Sequence, residues 1–136
     1  MKGSCLHKVQ YYETDGMRIV HHSNYMRWFE EARMDCLDKT GFGYAGLEER
    51  GIMIPVLSLT CEYKVPVLYG DTVRIDYEVD YFKNVRFGLA YKVFSEDYSV
   101  LHAIGSSQHC FLNKDLKPVS IRKSAPDFYA FFNENQ

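Results

Sequence analysis

The 136-residue sequence lacks a long apolar run, a paired-cysteine motif and an excess of basic charge. No stretch approaches the roughly 18 apolar residues that a membrane-spanning helix needs. Residues 1–5 lead into a strand-like segment rather than into the apolar centre of a secretory signal. A formal net charge of −2 argues against nucleic acid or an anionic membrane as the main partner. We therefore expect neither a membrane nor a nucleic-acid partner.

Four cysteines are scattered along the chain without a C-x-x-C pair. They are Cys5, Cys36, Cys61 and Cys110. This scatter favours reduced core thiols over a disulfide framework, and it predicts a cytoplasmic protein. The sequence also has no P-loop and no G-x-G-x-x-G fingerprint, which argues against a nucleotide cofactor of the ATP or NAD type.

The composition indicates one globular domain over residues 1–136. Hydrophobic residues make up 46% of the chain, aromatic residues 15% and charged residues 25%, which excludes disordered and fibrous classes. A chain of this length can bury a single core.

The apolar periodicity changes from that of a strand to that of a helix. Residues 6–12 alternate roughly apolar and polar, which predicts a half-buried strand. Residues 23–39 follow helical spacing and predict one amphipathic helix of about four turns. Ser23 is placed to cap this helix, and Gly41 with Gly43 to stop it. The predicted apolar face comprises Tyr25, Trp28, Phe29, Ala32 and Cys36.

Strand patterns dominate the rest of the chain. They cover residues 53–65, 71–82, 87–94 and 100–112. Pro55 confines the first of these strands to an edge or a bulge at its start. The linkers at residues 69–70 and 83–84 are short enough for antiparallel hairpins. Residues 124–132 predict a terminal helix capped by Ser124.

This order of elements predicts an α+β fold. A helix with one apolar stripe needs a sheet to cover it, and the sheet needs the helix. We expect an antiparallel sheet of about five strands wrapped around one long central helix. Such a thin sheet leaves edges to be covered, which predicts a homo-oligomer built on a dimer.

Residues 12–33, with the sequence YETDGMRIVHHSNYMRWFEEAR, carry the most informative pattern. An acidic turn ends in Asp15, a short apolar link leads to His22, and Asn24-Tyr25 opens a helix. The pattern resembles the signature of the hot-dog thioesterases of the 4-hydroxybenzoyl-CoA thioesterase and YbgC group. A second stretch, Tyr63-x-x-Pro66-x-x-x-Gly70-Asp71-x-Val73, is similar to the strand-turn-strand of that family. The resemblance covers residues 5–115 and implies hydrolysis of acyl-CoA or acyl-carrier-protein thioesters.

The residues themselves suit that chemistry. Thioester hydrolysis needs a base or a nucleophile, and donors for the oxyanion that forms on the carbonyl. Asp15 lies in a polar turn, and His22 lies near a helix N-terminus, where free N–H groups and the positive dipole end gather. The resemblance implies that Asp15 attacks the thioester or activates water, while the backbone N–H of His22 polarises the carbonyl. A direct role for the His22 side chain stays open.

Further site residues follow from the resemblance. Tyr25 is either a core residue or a substrate contact. Lys83 and Arg86 occupy a hairpin where relatives often meet the phosphates of coenzyme A. Two sheets are expected to join edge to edge, with tetramers common and the acyl site at the subunit interface. Ser58 or Thr60 is then predicted to reach the site from the partner strand. No cofactor is expected, because coenzyme A is part of the substrate.

Other interpretations remain at this point. Asp15-Gly16 is also an ordinary turn dipeptide. Asp15, His21 and His22 suggest a metal site in principle, but no third His or Cys lies at ligand spacing, so none is predicted. Arg18 departs from the family pattern of a small residue in this linker, which leaves the acyl preference open.

Two rival functions share the predicted fold. One is a dehydratase or hydratase acting on acyl thioesters, which would use a carboxylate with His22 to move a proton and water. The other is a non-catalytic acyl-binding or scaffold protein. Asp15 argues against the second, because a binding module has no need for a carboxylate at that turn.

Overall fold

The computed structural model describes residues 1–135, which form a five-stranded antiparallel sheet covered by a long helix. The strands are β1 (Lys2–Lys8), β2 (Val56–Tyr63), β3 (Thr72–Phe82), β4 (Arg86–Ser95) and β5 (Leu101–Cys110). The helices are α1 (Ser23–Lys39), α2 (Gly43–Glu49), α3 (Ile121–Ser124) and α4 (Pro126–Glu134). A short 3-10 helix spans Tyr11–Glu13. The predicted α+β class is confirmed.

The strands lie in the order β1-β3-β4-β5-β2. The hairpin predicted at residues 83–84 is confirmed, since β3 and β4 are antiparallel neighbours joined there. The hairpin predicted at residues 69–70 is wrong, because β2 pairs with β5 at one edge while β3 pairs with β1 and β4. A short linker permits a hairpin but does not decide which strands pair. Pro55 does precede an edge strand, β2, as predicted.

The first strand lies earlier in the chain than residues 6–12. β1 ends at Lys8, and the chain then turns into the 3-10 helix. The cause is a reciprocal cap, in which the Gln10 N–H donates to Glu13 Oε1 at 2.8 Å. Tyr11 and Tyr12 are consequently exposed rather than half-buried in a sheet.

Helix α1 has the predicted bounds, and its apolar face is buried on the inner side of the sheet. The ring of Phe29 stacks on Tyr91 of β4 with 4.3 Å between centroids. Ser23 is the first helical residue rather than the cap; the N-cap is His22, without a side-chain capping bond. Gly41 follows the helix end with φ 83°, and its N–H donates to Asp38 O at 3.1 Å.

The C-terminal helices close one end of the core. Ser124 ends α3 and does not cap α4, which begins with Pro126 after Ala125. The Phe132 ring stacks on Phe82 of β3 at 4.8 Å.

No helix within residues 1–135 is both long enough and apolar enough to span a bilayer.

A buried chain of hydrogen bonds ties α1 to the start of the edge strand. Arg33 donates to the Tyr91 hydroxyl at 3.3 Å, and Tyr91 and the Ser107 hydroxyl lie 2.6 Å apart. His109 contacts Ser107 Oγ through Nε2 at 2.7 Å and Pro55 O through Nδ1 at 3.1 Å. Burial, reinforced by Arg33, lowers the pKa of His109 to about 4. The neutral ring therefore donates from Nδ1 and accepts at Nε2.

The contact between α1 and the sheet gives a testable expectation. A Cβ at Gly105 would overlap the Phe29 ring and lie 2.8 Å from the Thr60 carbonyl oxygen. We expect Gly105→Ala to destabilise the fold by about 1–3 kcal/mol in urea unfolding. Gly46→Ala in α2 is the matched control, because a Cβ there meets nothing within 4 Å and a helix gains about 0.5–1 kcal/mol. Equal stability of the two variants would contradict the packing described.

Candidate active site

Asp15 lies in a tight loop that leads from the 3-10 helix to α1. A β-bridge between Thr14 and Val20 closes the loop, and the Asp15 N–H donates to Ile19 O at 2.8 Å. Asp15 Oδ1 accepts the Met17 N–H at 2.7 Å. The second carboxylate oxygen, Oδ2, makes no hydrogen bond to any residue in the range 1–135. The carboxylate is thus oriented through one oxygen and open at the other.

Arg18 occupies the left-handed region with φ 68°, where residues with a Cβ are uncommon. Its N–H donates to Asp15 O at 3.2 Å, so the conformation belongs to the turn that carries Asp15. Glycine would adopt this conformation without a steric cost. The Arg18 side chain is exposed.

One backbone N–H at the N-terminus of α1 has no hydrogen-bond acceptor among residues 1–135. The Ser23 N–H donates to the His21 side chain, the Asn24 N–H to His21 O, and the Tyr25 N–H to His22 O. The N–H of His22 has no acceptor among the described residues. A free N–H at the positive end of a helix is suited to bind a developing oxyanion.

Three predicted site residues come together in one cleft. The cleft has a volume of about 310 Å³. Its lining comprises Asp15, Ile19, Val20, His21, His22, Tyr25, Tyr63, Lys64, Val65 and Pro66. Because a cavity of about 150 Å³ can hold a benzene molecule, the cleft has room for a thioester and the atoms on either side.

Tyr25 is buried in the core and also lines the cleft. Tyr63, at the end of β2, was not predicted as a site residue. Its hydroxyl donates to His22 O at 3.2 Å, and its ring packs against Tyr25 at 5.0 Å. Burial, with Cys61 nearby, raises the pKa of Tyr25 to about 12, and burial likewise raises the pKa of Tyr63. Both phenols are therefore neutral.

Lys64, next to Tyr63, is a second cleft residue that the sequence did not single out. The sequence signal that could have identified Tyr63 and Lys64 is the family-like spacing from Tyr63 to Pro66. Cys61 lies close by, but burial raises the pKa of its thiol, which disfavours a thiolate nucleophile. Within residues 1–135, no three His, Cys, Asp or Glu side chains are grouped to hold a metal ion.

Lys83 and Arg86 are exposed at the far end of the same protomer. Lys8 pairs with Thr72, so the Asp15 loop follows the end of β1 that lies beside the start of β3. Lys83 follows the other end of β3. At about 3.3 Å per residue, the 11 residues of this strand place its two ends roughly 33 Å apart. One protomer therefore does not bring these residues to Asp15.

Ser58 and Thr60 are exposed on the edge strand β2 and do not line the cleft of their own protomer. The Thr60 hydroxyl lies 2.5 Å from the Ser106 hydroxyl on the neighbouring strand β5.

The chain is similar to known proteins over nearly its whole length. A family model described as the thioesterase-like superfamily matches residues 9–132. A putative esterase of Aquifex aeolicus (strain VF5) is 41% identical over 116 residues, which cover 85% of this chain and 88% of that protein. The putative acyl-CoA thioesterase YneP of Bacillus subtilis (strain 168) is 29% identical over 127 residues, covering 93% and 92%.

Solved structures agree with this match. The DHNA-CoA thioesterase from Staphylococcus aureus superposes with a TM-score of 0.94 at 32% identity, covering 99% of this chain and 91% of that chain. The predicted hot-dog fold and the predicted thioesterase class are thereby confirmed at the level of the family. This chain belongs to the thioesterase-like superfamily.

Proposed function

We propose that this protein hydrolyses acyl-CoA thioesters, with Asp15 as the catalytic carboxylate. The observation that carries the proposal is the pairing, across one cleft, of an oriented carboxylate with an unused N–H at a helix N-terminus. The name of the Bacillus subtilis relative supports coenzyme A as the carrier. The reaction needs no cofactor, because coenzyme A is part of the substrate.

The geometry suggests how the residues act. The thioester carbonyl oxygen accepts the His22 N–H, which stabilises negative charge on that oxygen in the transition state. Asp15 then follows one of two routes. As a nucleophile, it attacks the carbonyl carbon, expels the thiolate and forms an anhydride that water cleaves. As a base, it takes a proton from water, which attacks the same carbon. Either route consumes one water and yields an acid and a thiol.

Replacing Asp15 by Asn tests the proposal. The amide keeps the size of the side chain and an oxygen that can accept the Met17 N–H. It lacks the charge and the basicity that both routes require, and loss of a general base costs about 10²–10⁴-fold. We expect kcat for the best acyl-CoA to fall by at least ~10², with the oligomeric state and the melting temperature nearly unchanged. Thiol release and thermal unfolding measure the two quantities.

The opposite pattern would show that Asp15 is only a turn residue: a lower melting temperature with more than about a third of the wild-type rate. The same assay separates the rival functions. A hydratase releases no free thiol from a saturated acyl-CoA, and a binding protein releases none from any member of an aryl-, short- and long-chain panel.

The proposal includes a dimer that joins the β2 strands of two protomers. The outer edge of β2 is unpaired in the described chain, and it carries the exposed side chains of Val56 and Leu57. Antiparallel pairing about a two-fold axis places the Tyr63 end of one β2 beside the Val56 end of the other. The partner's Ser58 and Thr60 then approach the cleft, and the partner's Lys83 and Arg86 lie at the same end of the assembly.

A second cavity, of about 270 Å³, gives the acyl group a place in this dimer. It lies under the C-terminal half of α1 and is mainly apolar, with Leu37, Ile54, Val56 and Leu89 among its lining residues. Within one protomer it shares no lining residue with the cleft of Asp15. Val56, at the start of β2, lines this cavity. In the proposed dimer, the start of β2 lies next to the cleft of the partner.

Breaking the β2 edge tests the dimer. We expect the wild-type protein to scatter light as a dimer or tetramer at micromolar concentration. Leu57→Asp puts a charge on the proposed interface and should yield a monomer with little activity. Leu116→Asp is the matched control, because Leu116 is also exposed but belongs to the turn of residues 113–117 rather than to β2. An active wild-type monomer would exclude the shared site.

The role of Lys83 and Arg86 has its own test. If they contact the phosphates of coenzyme A, replacing both by Ala raises KM more than it lowers kcat, because such binding is shared by ground and transition states. The salt dependence of KM should also weaken, since exposed charge contacts are screened. Lys2→Ala with Lys92→Ala removes equal charge from exposed positions of β1 and β4 and serves as the control. Equal KM values for the two double variants would exclude the contact.

A further inference from the structure

Glu13 is a buried carboxylate that lies two residues before Asp15 and outside the lining of the cleft. Only 3% of the residue is exposed. Its Oε1 accepts the Gln10 N–H at 2.8 Å and His7 Nε2–H at 2.7 Å. Its Oε2 accepts the indole N–H of Trp28 at 2.8 Å. One side chain thus joins β1, the 3-10 helix and α1.

The main-chain oxygen of Glu13 makes two further contacts. It accepts the His21 N–H at 2.8 Å and the side-chain amide of Asn24, also at 2.8 Å. The first bond joins the two ends of the segment from Glu13 to His21, within which Asp15 lies. The second fixes those ends to the first turn of α1. Two of the hydrogen bonds that connect the Asp15 loop to the helix N-terminus therefore end on the main-chain oxygen of Glu13.

The carboxylate of Glu13 is held in its ionised form. Burial alone would raise its pKa, but hydrogen bonds from His7, the Gln10 backbone and Trp28 outweigh burial and bring the pKa below the ordinary value. Hydrogen bonds to an ionised group are stronger than those between neutral groups. His7 extends the network, since its Nδ1 lies 3.0 Å from Glu31 Oε2 on α1.

We propose that Glu13 is a positioning residue for the thioesterase site, which holds the Asp15 carboxylate at a fixed distance from the His22 N–H. This inference rests on the proposed function. Glu13 does not itself react, because its two oxygens already accept three donors and neither faces the cleft. Its effect is geometric: a shift of about 1 Å in a reacting group can lower the rate by 10².

The test is Glu13→Gln, which keeps the shape of the side chain. The amide has one acceptor oxygen, so its NH₂ group must face either Trp28 or the His7 and Gln10 donors. We expect kcat to fall by about 10- to 100-fold, with KM within about twofold, because Tyr63, Val65 and Pro66 of the cleft wall lie on another segment.

Trp28 supplies a spectroscopic readout, because it is the only tryptophan of the sequence. Its indole N–H gives one signal in a nitrogen-proton NMR spectrum, and Glu13→Gln should move that signal. Asp127→Asn is the control: it weakens the exposed pair of Arg50 and Asp127, at 2.7 and 2.9 Å, and should change neither kcat nor the indole signal.

A double-mutant cycle separates positioning from general stability. If Glu13 acts through Asp15, Glu13→Gln lowers the residual rate of Asp15→Asn by less than twofold, whereas independent effects multiply. A full multiplicative loss, or an unchanged kcat in folded Glu13→Gln, would overturn the inference. Trp28→Phe, which removes one donor and keeps an aromatic ring, should lower kcat in the same direction if Glu13→Gln does not fold.

Failure of the two proposals can be told apart. An active Asp15→Asn variant contradicts the proposed function whatever Glu13 does. An inactive Asp15→Asn variant beside a fully active Glu13→Gln variant contradicts the positioning role alone.

Discussion

The burial of one face of α1 against the sheet is the constraint on which the rest of the structure depends. Phe29 lies over Gly105, where any Cβ would overlap its ring, and stacks on Tyr91. This contact fixes the rotation and the height of the helix above the sheet. The helix N-terminus is thereby placed at the end of the sheet where β1 stops, which brings it beside the loop of Asp15. The geometry of the cleft is thus a consequence of core packing.

Local sequence patterns predicted most helices and strands well. They did not predict which strands pair, because pairing depends on residues far apart in the sequence. The bounds of α1 follow from its helical spacing, and the periods of β3 and β4 from strict alternation. The error at residues 69–70 has a different origin, because a turn-like pair does not specify that β2 pairs with β5. The first strand was misplaced because the Glu13 carboxylate caps a 3-10 helix at residues that also alternate between apolar and polar. The alternation alone gives no sign of that cap.

The site residues also differ in how far they could be predicted from local sequence. Asp15, His22 and Tyr25 lie within a short stretch of sequence, so one motif identifies all three. Tyr63 and Lys64 reach the cleft only because β2 ends beside α1, which depends on strand order. Glu13 was missed for another reason: a glutamate in a polar turn is ordinarily solvent-exposed. Its burial requires donors from β1 and α1, and these contacts are invisible before the chain is folded.

Glu13 and Asp15, two carboxylates separated by one residue, lie in different surroundings, which the proposed function assigns to different roles. Chemistry at a thioester carbon requires a carboxylate oxygen with an available lone pair. Glu13 lacks one facing the cleft, because three donors occupy its oxygens and the side chain points into the core. Asp15 lines the cleft, and its carboxylate accepts a single N–H, through Oδ1, from residues 1–135. As in other sites with paired acids, the environment would then decide which group is structural and which is reactive under the proposed function.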